Sequence, residues 1–438
     1  MKNKLELAQW AVEYAKKVGA DDGAVNIVNR RDVDIEYRDR KLEKLKESTQ
    51  NSLSIHIYVN QRYSGSSTND LRKEQLKSFI EEAVAGTKYL SQDEYRSLPD
   101  PKYYPDNLDR DLEILDSAYE SVDSEKRVKL AKMIEEAALD TDDRIISTTA
   151  GYGDVHFERV KVHSNGFVGQ KQGTVFSLSA EATVEDPGGG RPESWYSART
   201  RLFDALPEPS KVGQEAVKGA VMKIGQDKIE SGRYPMIVEN RVASRLLRML
   251  SQPLTGRAIQ QKQSFLEGKL GQKIASDKFT LIDDPFIKRG LGSRLFDGDG
   301  LEAKKRAIIE NGILKSYFID DYYGRKLGME PTTGGPSNLV FDYGSESLQN
   351  MIKDVDYGIW VTGFIGGNSN STTGDFSFGI TGQLIEKGQV AKPVNEMNIS
   401  GNAIEFWNRL SKVGNDPHIY SSYRIPTMQF DDVQFSGV

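Results

Sequence analysis

The four histidines are the first side chains to test for metal chemistry, because imidazole is the commonest protein ligand for transition metals. They are His56, His156, His163 and His418. His156 and His163 lie seven residues apart in one strand-like run, and an odd separation sends side chains to opposite faces of a sheet. The chain has no helical His-x-x-x-His or His-Glu pair and no cysteine, so the usual zinc motifs are missing. We expect structural histidines, and neither a metal nor a cofactor.

Neighbouring carboxylates are the second group that could do chemistry, because paired acids can share general acid and base roles. Asp297 and Asp299 flank a glycine in a run that resembles the start of a calcium loop, but the twelfth position holds Ile308 in place of an acid. A capped turn is therefore favoured there. Asp375 follows Gly374 and could cap a turn or orient a ligand; the sequence leaves both open.

A glycine-rich stretch between Gly363 and Gly382 joins two strand-like runs. Glycine gives the main chain access to positive φ and to close approach by other groups. Such a stretch is either a surface connection or a loop that offers its amides and carbonyls to a ligand. No lysine and no helix pattern follow the glycines, so a phosphate-binding loop is disfavoured.

Length and charge limit the class of protein. A chain of 438 residues is expected to form two or three domains. A net charge of −6, with acids and bases interspersed, offers no basic surface for nucleic acid. No stretch approaches the ~20 apolar residues of a membrane span, and the N-terminus lacks the apolar core of a signal peptide. We expect a cytoplasmic protein that contacts neither nucleic acid nor membrane directly.

Helical and strand-like periods alternate in the first 230 residues. Ala8, Ala11, Val12 and Ala15 have helical spacing. The next runs alternate with period two, as half-buried antiparallel strands do. A second helix is predicted after Asp70, its expected N-cap. Further helices and strands follow, and the hairpin signal Ser164-Asn-Gly-Phe167 separates two of the strands. Residues 1–230 are predicted to form a domain of helices packed on antiparallel strands.

Short strand-like runs separated by Gly, Pro, Asn and Asp dominate the remainder of the chain. One helix is expected from about Val242 to Leu250, before Pro253. Residues 231–438 are therefore predicted to form a mainly antiparallel β domain. The predicted fold class of the whole chain is α+β.

Several fragments, in their order and spacing, resemble the TldD/PmbA family, and in particular its PmbA (TldE) branch. The resemblance covers nearly the whole chain and is strongest at Thr373-Gly-Asp-Phe-Ser377. The other fragments are Gly19-Ala-Asp-Asp22, Ser54-Ile-His-Ile-Tyr-Val-Asn60, Gly65-Ser-Ser-Thr68, Ser164-Asn-Gly166, Leu270-Gly-Gln-Lys-Ile-Ala-Ser276, Asp283-Asp-Pro285, Phe296-Asp-Gly-Asp-Gly300 and Gly312-Ile-Leu-Lys-Ser-Tyr317.

The resemblance implies two domains and a pairwise assembly that encloses a peptide-accepting cavity. In the TldD branch a helix carries His-Glu-x-x-x-His, whose imidazoles hold zinc while the glutamate acts as general base. The best match here places Leu247 and Gln252 at the histidine positions and Arg248 at the glutamate position. No histidine occurs between His163 and His418. The resemblance therefore implies the metal-free type of subunit, with no catalytic residue of its own.

Three functions follow as hypotheses. The leading one is a metal-free subunit of a TldD/TldE-type metalloprotease system in proteolysis or peptide maturation, paired with a TldD-like zinc subunit or with itself. The second is a stand-alone peptidase or hydrolase that uses Asp297, Asp299 or Asp375. The third, from the family's older label, is a regulator of DNA gyrase through protein contacts. The peptide-binding candidates are Gly363, Gly366, Gly367, Asn370, Thr373, Gly374 and Asp375.

Overall fold

A computed structural model describes all 438 residues and has the α+β fold that the sequence predicts. The first half of the chain forms one antiparallel sheet with strand order β3-β2-β1-β4-β5-β6. Its strands are β1 (Asp22–Arg38), β2 (Lys41–Val59), β3 (Arg62–Thr68), β4 (Ile145–His163), β5 (Val168–Val184) and β6 (Glu193–Thr200). The predicted hairpin at residues 164–167 joins β4 to β5.

Four helices cover one face of this sheet. They are α1 (Lys2–Lys17), α2 (Lys73–Thr87), α3 (Ser124–Leu139) and α4 (Pro209–Val221). In β1 the buried Val25, Ile27, Val33 and Ile35 are all odd-numbered, so they point to the same side, where they pack against the helices. The opposite face carries none of these four helices, and its Ala24, His56 and His163 face the second half of the chain.

The start of α2 differs from the prediction. The helix begins at Lys73 with Arg72 at the N-cap position. The carboxylate of Asp70 instead accepts a hydrogen bond from the main-chain N–H of Arg72 at 3.0 Å. Asp70 therefore closes a local turn before the helix, which is the alternative use that short acidic side chains have.

The second half contains a seven-stranded sheet and a five-stranded sheet. Most neighbouring strands are antiparallel, although β7 pairs with β12, and β11 with β17, in parallel. The strands are β7 (Gly232–Val238), β8 (Leu281–Asp283), β9 (Arg306–Glu310), β10 (Ile313–Leu314), β11 (Leu339–Phe341), β12 (Tyr357–Phe364), β13 (Asn368–Ser369), β14 (Asp375–Glu386), β15 (Gln389–Asn402), β16 (Leu410–Val413), β17 (Tyr423–Arg424) and β18 (Met428–Ser436).

Five strands of the larger sheet close on themselves. β12 pairs with both β7 and β14, and the order β12-β7-β18-β15-β14 returns to β12. A single large core, with Phe279, Trp407 and Phe430 fully buried, stabilises this half of the chain. We propose a domain boundary at residues 230/231, between the last helix of the first half and β7.

The second half also contains five short helices. They are α5 (Asn240–Leu247), α6 (Gly256–Gln260), α7 (Asp321–Leu327), α8 (Leu348–Lys353) and α9 (Ala403–Asn408). A single 3₁₀ turn at Arg248–Leu250 extends α5 before Pro253, close to the predicted end. None of the nine helices combines the length and apolar composition that crossing a bilayer requires.

Three largely buried cations connect the two halves through hydrogen bonds to main-chain carbonyls. Lys171 donates to the carbonyl of Ser293 at 2.9 Å, and Arg201 donates to the carbonyl of Leu291 at 2.5 Å. Lys161 similarly donates to the carbonyl of Gly298. All three cations extend from the first half into one loop of the second half and so hold the two halves in contact.

Candidate functional site

A cleft of about 970 Å³ lies where the edge of the first sheet meets the barrel of the second half. One wall is β6 with the chain just before it, the other is α5, and the end of β12 with the following residues forms the floor. The cleft has the size and position of a ligand site, because such sites occur preferentially between domains.

Helix α5 has an apolar face and a basic face. Ala243, Leu246 and Leu247 are buried in the core, as the helical period dictates. The opposite face carries Arg241, Ser244, Arg245 and Arg248, which all line the cleft.

The three arginines of α5 have different partners. Arg241 pairs with Glu239 at 2.6 Å, and Arg245 donates to the carbonyl of Gly367 at 2.7 Å. Arg248 is exposed and forms neither a hydrogen bond nor an ion pair. Burial and the nearby Arg241 lower the pKa of His418, so this imidazole is neutral at pH 7. Five basic side chains and three glutamates line the cleft, so its net charge is positive, which suits a carboxylate ligand.

Strand β6 offers an open edge to the cleft. It is the last strand of its sheet, so its outer main-chain amides and carbonyls pair with no other strand. Trp195 of β6 is 62% exposed, and Ile365 across the cleft is 53% exposed. An open strand edge beside exposed apolar side chains is the arrangement by which proteins add a peptide to a sheet.

Several polar atoms at the cleft are buried without a protein partner. They are Gln226 Oε1, Arg245 Nε, Thr381 Oγ1 and Asn395 Oδ1. Buried polar groups are normally satisfied. These four atoms are the buried polar atoms of the cleft residues that have no partner within the chain.

The glycine-rich stretch divides into two parts. Gly363 lies in the cleft, and Gly366 and Gly367 follow with φ of 134° and 88°. A Cβ on Gly367 would lie only 2.0 Å from the carbonyl oxygen of Ser377. Glycine is therefore required at this position, where the main chain turns back to present a carbonyl to Arg245.

The second part of the stretch lies outside the cleft and forms a capped turn. Asn370 Oδ1 accepts from the N–H of Thr372 at 2.8 Å, and Thr373 donates to Asp375 at 2.8 Å. Asn402 donates to the other oxygen of Asp375 at 3.2 Å. These hydrogen bonds lower the pKa of Asp375. The structure thus separates Asn370, Thr373, Gly374 and Asp375 from Gly363.

Comparison with known proteins identifies the family. Models of the first, central and C-terminal domains of the PmbA/TldA metallopeptidases match residues 23–86, 118–224 and 231–437. A protein of Haemophilus influenzae named as a homologue of the metalloprotease PmbA is 30% identical over 99% of this chain and 96% of its own length. The chain belongs to the PmbA/TldD family. The resemblance drawn from the sequence is confirmed.

Solved structures agree with this assignment. A candidate modulator of DNA gyrase from Bacteroides thetaiotaomicron is 41% identical, with a TM-score of 0.97 over 100% of this chain and 99% of its own. TldE from Thermococcus kodakarensis is 22% identical, with a TM-score of 0.87 over 98% of this chain and 100% of its own. The second similarity shows that the fold is shared.

The metallopeptidase name of the PmbA/TldD family raises the question of whether this chain can hold zinc. Leu247 is 2% exposed and packs in the core, whereas Gln252 is exposed beyond the 3₁₀ turn. Arg248 alone of the three predicted positions lines the cleft. No three His, Asp or Glu side chains anywhere in the structure are grouped to hold a metal ion. A helix face of arginines does not fit a dication, because like charges repel.

The carboxylates considered from the sequence lie away from the cleft. Asp297 accepts hydrogen bonds from the main-chain N–H groups of Asp299, Leu301 and Gly334 at 2.8, 3.0 and 2.9 Å. It therefore caps a turn, as its spacing predicts. The carboxylate of Asp299 accepts no hydrogen bond and lines a separate cavity at the domain boundary.

Sequence reasoning did not find the β6 wall of the cleft. Trp195 and the open edge of β6 lie about fifty residues from α5 in the chain. The only indication in the sequence was Trp195, an aromatic residue in a short run after the loop Asp186-Pro-Gly-Gly-Gly-Arg-Pro192. Which strand ends a sheet is decided by tertiary pairing, which one sequence does not reveal.

Proposed function

We propose that this chain is a metal-free subunit of a TldD/TldE-type metalloprotease system and that its cleft holds an extended peptide. The observation that carries the proposal is the basic face of the α5 segment, where Arg241, Arg245 and Arg248 line the cleft and no group of side chains can hold a metal ion. The zinc water and the general base would come from a TldD-like partner. The relationship to PmbA-type and TldE proteins supports this division of labour.

The cleft supports peptide binding in three ways. The open edge of β6 supplies main-chain hydrogen bonds that any extended peptide can use. Trp195 and Ile365 supply apolar contact area. The unpaired guanidinium of Arg248 can take a peptide carboxylate, terminal or side-chain. Together these features favour extended substrates with at least one acidic group.

Reconstitution with a zinc-bearing TldD-type subunit tests the proposal. Peptidase activity is expected from the mixture and from neither chain alone. Trp195→Ala and Arg248→Ala are each expected to raise KM for an acidic extended peptide at least tenfold, because both remove contacts with substrate and neither touches the metal. Tyr89→Ala and Arg257→Ala, at exposed positions outside the cleft, are the matched controls. Chelator-sensitive activity of this chain alone would overturn the proposal.

The partner is a TldD-like chain or a second copy of this chain. Sedimentation of this chain alone and mixed with the TldD-type subunit separates the two. A heteromeric species that forms at the expense of the homomer is expected, and a homomer that persists in the mixture would contradict a hetero-subunit role.

The relative named as a candidate gyrase modulator supplies a second function, regulation of a DNA enzyme through protein contacts. The net charge of −6 disfavours direct DNA binding. A DNA supercoiling assay with purified gyrase, with and without this chain, tests the idea. Unchanged gyrase activity at saturating chain would remove it.

A further inference from the structure

A second cavity, of about 180 Å³, lies between the second half of the chain and the face of the first sheet opposite helices α1 to α4. Its floor is a row of residues aligned by strand pairing. His56 of β2 lies opposite Ala24 of β1, which lies opposite His163 of β4. The short side chain of Ala24 between two imidazoles leaves the space open. Asp320 and Tyr322 close the cavity from the second half.

The cavity contains a carboxylate, that of Asp299, which lies near Lys161 but is not in direct contact with any donor. The carboxylate of Asp299 accepts no hydrogen bond and forms no ion pair. Burial and the neighbouring Asp297 raise the pKa of Asp299 to about 6, so the group is still mostly ionised at pH 7. An ionised carboxylate in a buried site is costly unless something donates to it.

The same cavity contains a cation without an anionic partner. The guanidinium of Arg96 lies over the rings of Tyr322, at 3.6 Å, and Tyr63, at 4.5 Å. It donates no hydrogen bond and pairs with no carboxylate, Asp299 included. The two rings fix its position, so the guanidinium is held ready for a planar anion.

The remaining groups leave the cavity balanced in charge. Lys161 is 8% exposed and donates only to the carbonyl of Gly298. Asp321 pairs with Arg325, so Asp299 and Asp320 balance Arg96 and Lys161 in charge. Burial lowers the pKa of His163 to about 3, so its ring is neutral, and it hydrogen-bonds to Tyr104 at 2.9 Å. A ligand with charge of one sign would satisfy one free group and repel the other.

We infer that this cavity binds a small zwitterion, a free amino acid or a dipeptide of small residues, with its ammonium group at Asp299 and its carboxylate at Arg96. The volume equals that of roughly six water molecules, which is enough for such a ligand and too small for a longer peptide. This site is independent of the cleft at α5 and shares no residue with it.

Calorimetric titration of the full chain with four small probes of different charge tests the inference. Glycylglycine carries both charges, glycinamide only the positive one, and N-acetylglycine only the negative one, while inorganic phosphate serves as a small anion. Glycylglycine is expected to bind at least tenfold more tightly than each of the others. If glycinamide binds as tightly as glycylglycine, the cavity is a simple cation site. If only phosphate or N-acetylglycine binds, the cavity is an anion site. Either result overturns the inference.

Variants that remove one charge each locate the binding. Asp299→Asn and Arg96→Gln are each expected to weaken glycylglycine binding at least tenfold, and Asp106→Asn and Arg257→Gln, at exposed positions, are expected to leave it unchanged. If a cavity variant fails to fold, hydrogen exchange of the wild-type chain decides. Glycylglycine is expected to slow exchange at residues 95–99 and 320–323. The assignment is refuted if glycylglycine leaves exchange at these residues unchanged, or if Asp299→Asn binds glycylglycine as tightly as the wild type.

Discussion

Asp154 is a buried carboxylate held by three side chains of the first half. It accepts hydrogen bonds from Arg127 Nε at 2.7 Å, Tyr119 at 2.7 Å and Tyr152 at 2.8 Å. The side chains of Arg127 and Asp154 are 4% and 0% exposed. Asp154→Asn leaves the guanidinium buried without a counter-charge, so the free energy of unfolding is expected to fall by about 3–5 kcal/mol. Urea unfolding followed by circular dichroism measures this loss.

The matched control is an ion pair at the surface. Lys44 pairs with Asp34, but the two side chains are 44% and 51% exposed. Asp34→Asn is expected to change the free energy of unfolding by about 0–1 kcal/mol, because solvent screens the pair and already solvates both groups. Equal effects of Asp154→Asn and Asp34→Asn would show that the buried network does not stabilise the fold.

Single residues also show which parts of the candidate site could be predicted from the sequence. Asp297 has the spacing of a turn cap and is one. Arg248 and Gly363 lie in the cleft, but Leu247, from the same helix match, packs in the core. Neighbouring residues on a helix point about 100° apart, so a register error of one or two residues decides which side chain meets a ligand. Arg96 and Asp299 share a cavity only because separate domains meet there.

Among the elements, the turn between β1 and β2 has a strained main chain. Asp39 and Arg40, the two residues between the strands, have φ of 50° and 60°, which defines the type I′ turn that favours Asn-Gly. Arg40→Gly is expected to raise the free energy of unfolding by about 1 kcal/mol, because glycine enters the left-handed region without a Cβ clash. The main-chain N–H of Arg40, which donates to Glu135 at 3.0 Å, is kept.

Arg38→Gly, at the end of β1, is the control for this turn. The same change in extended backbone is expected to lower the free energy of unfolding by roughly 0.5–1 kcal/mol, since glycine loses more conformational freedom there. Opposite signs two residues apart would assign the gain to the turn conformation. A loss in both variants contradicts the strain argument.

Helices and strands with a periodic set of buried apolar residues could be predicted from the sequence, and elements without such a set could not. Helix α1 buries Ala8, Ala11, Val12 and Ala15, as its spacing predicts. The outer part of β2, from Lys41 to Gln50, is nearly all exposed and shows no apolar alternation. Its pairing with β1 alone keeps it extended. Sequence patterns record burial more directly than they record strand pairing, so this part of the hairpin left no signal.

At the scale of the whole molecule, the buried cations between the two halves make stability depend on pH. Burial and the neighbouring Arg201 lower the pKa of Lys171 from 10.5 to about 7. Between these two values the unfolded chain binds a proton that the folded chain lacks, so this lysine makes stability rise with pH. Below pH 7 both states are protonated, and the full cost of burying the ammonium group is present.

Lys171→Met removes this titration and keeps the side chain's length and apolar stem. The variant's stability relative to wild type is therefore expected to be highest at pH 7 and to decline toward pH 10, with a slope of up to about 1.4 kcal/mol per pH unit. Urea titrations at pH 7, 8, 9 and 10 give the difference curve. Lys46→Met, which removes an exposed lysine from the same sheet, controls for the loss of charge. Parallel curves for wild type and Lys171→Met would mean that the interface does not perturb this lysine, and the domains would then be held by contacts that do not depend on its charge.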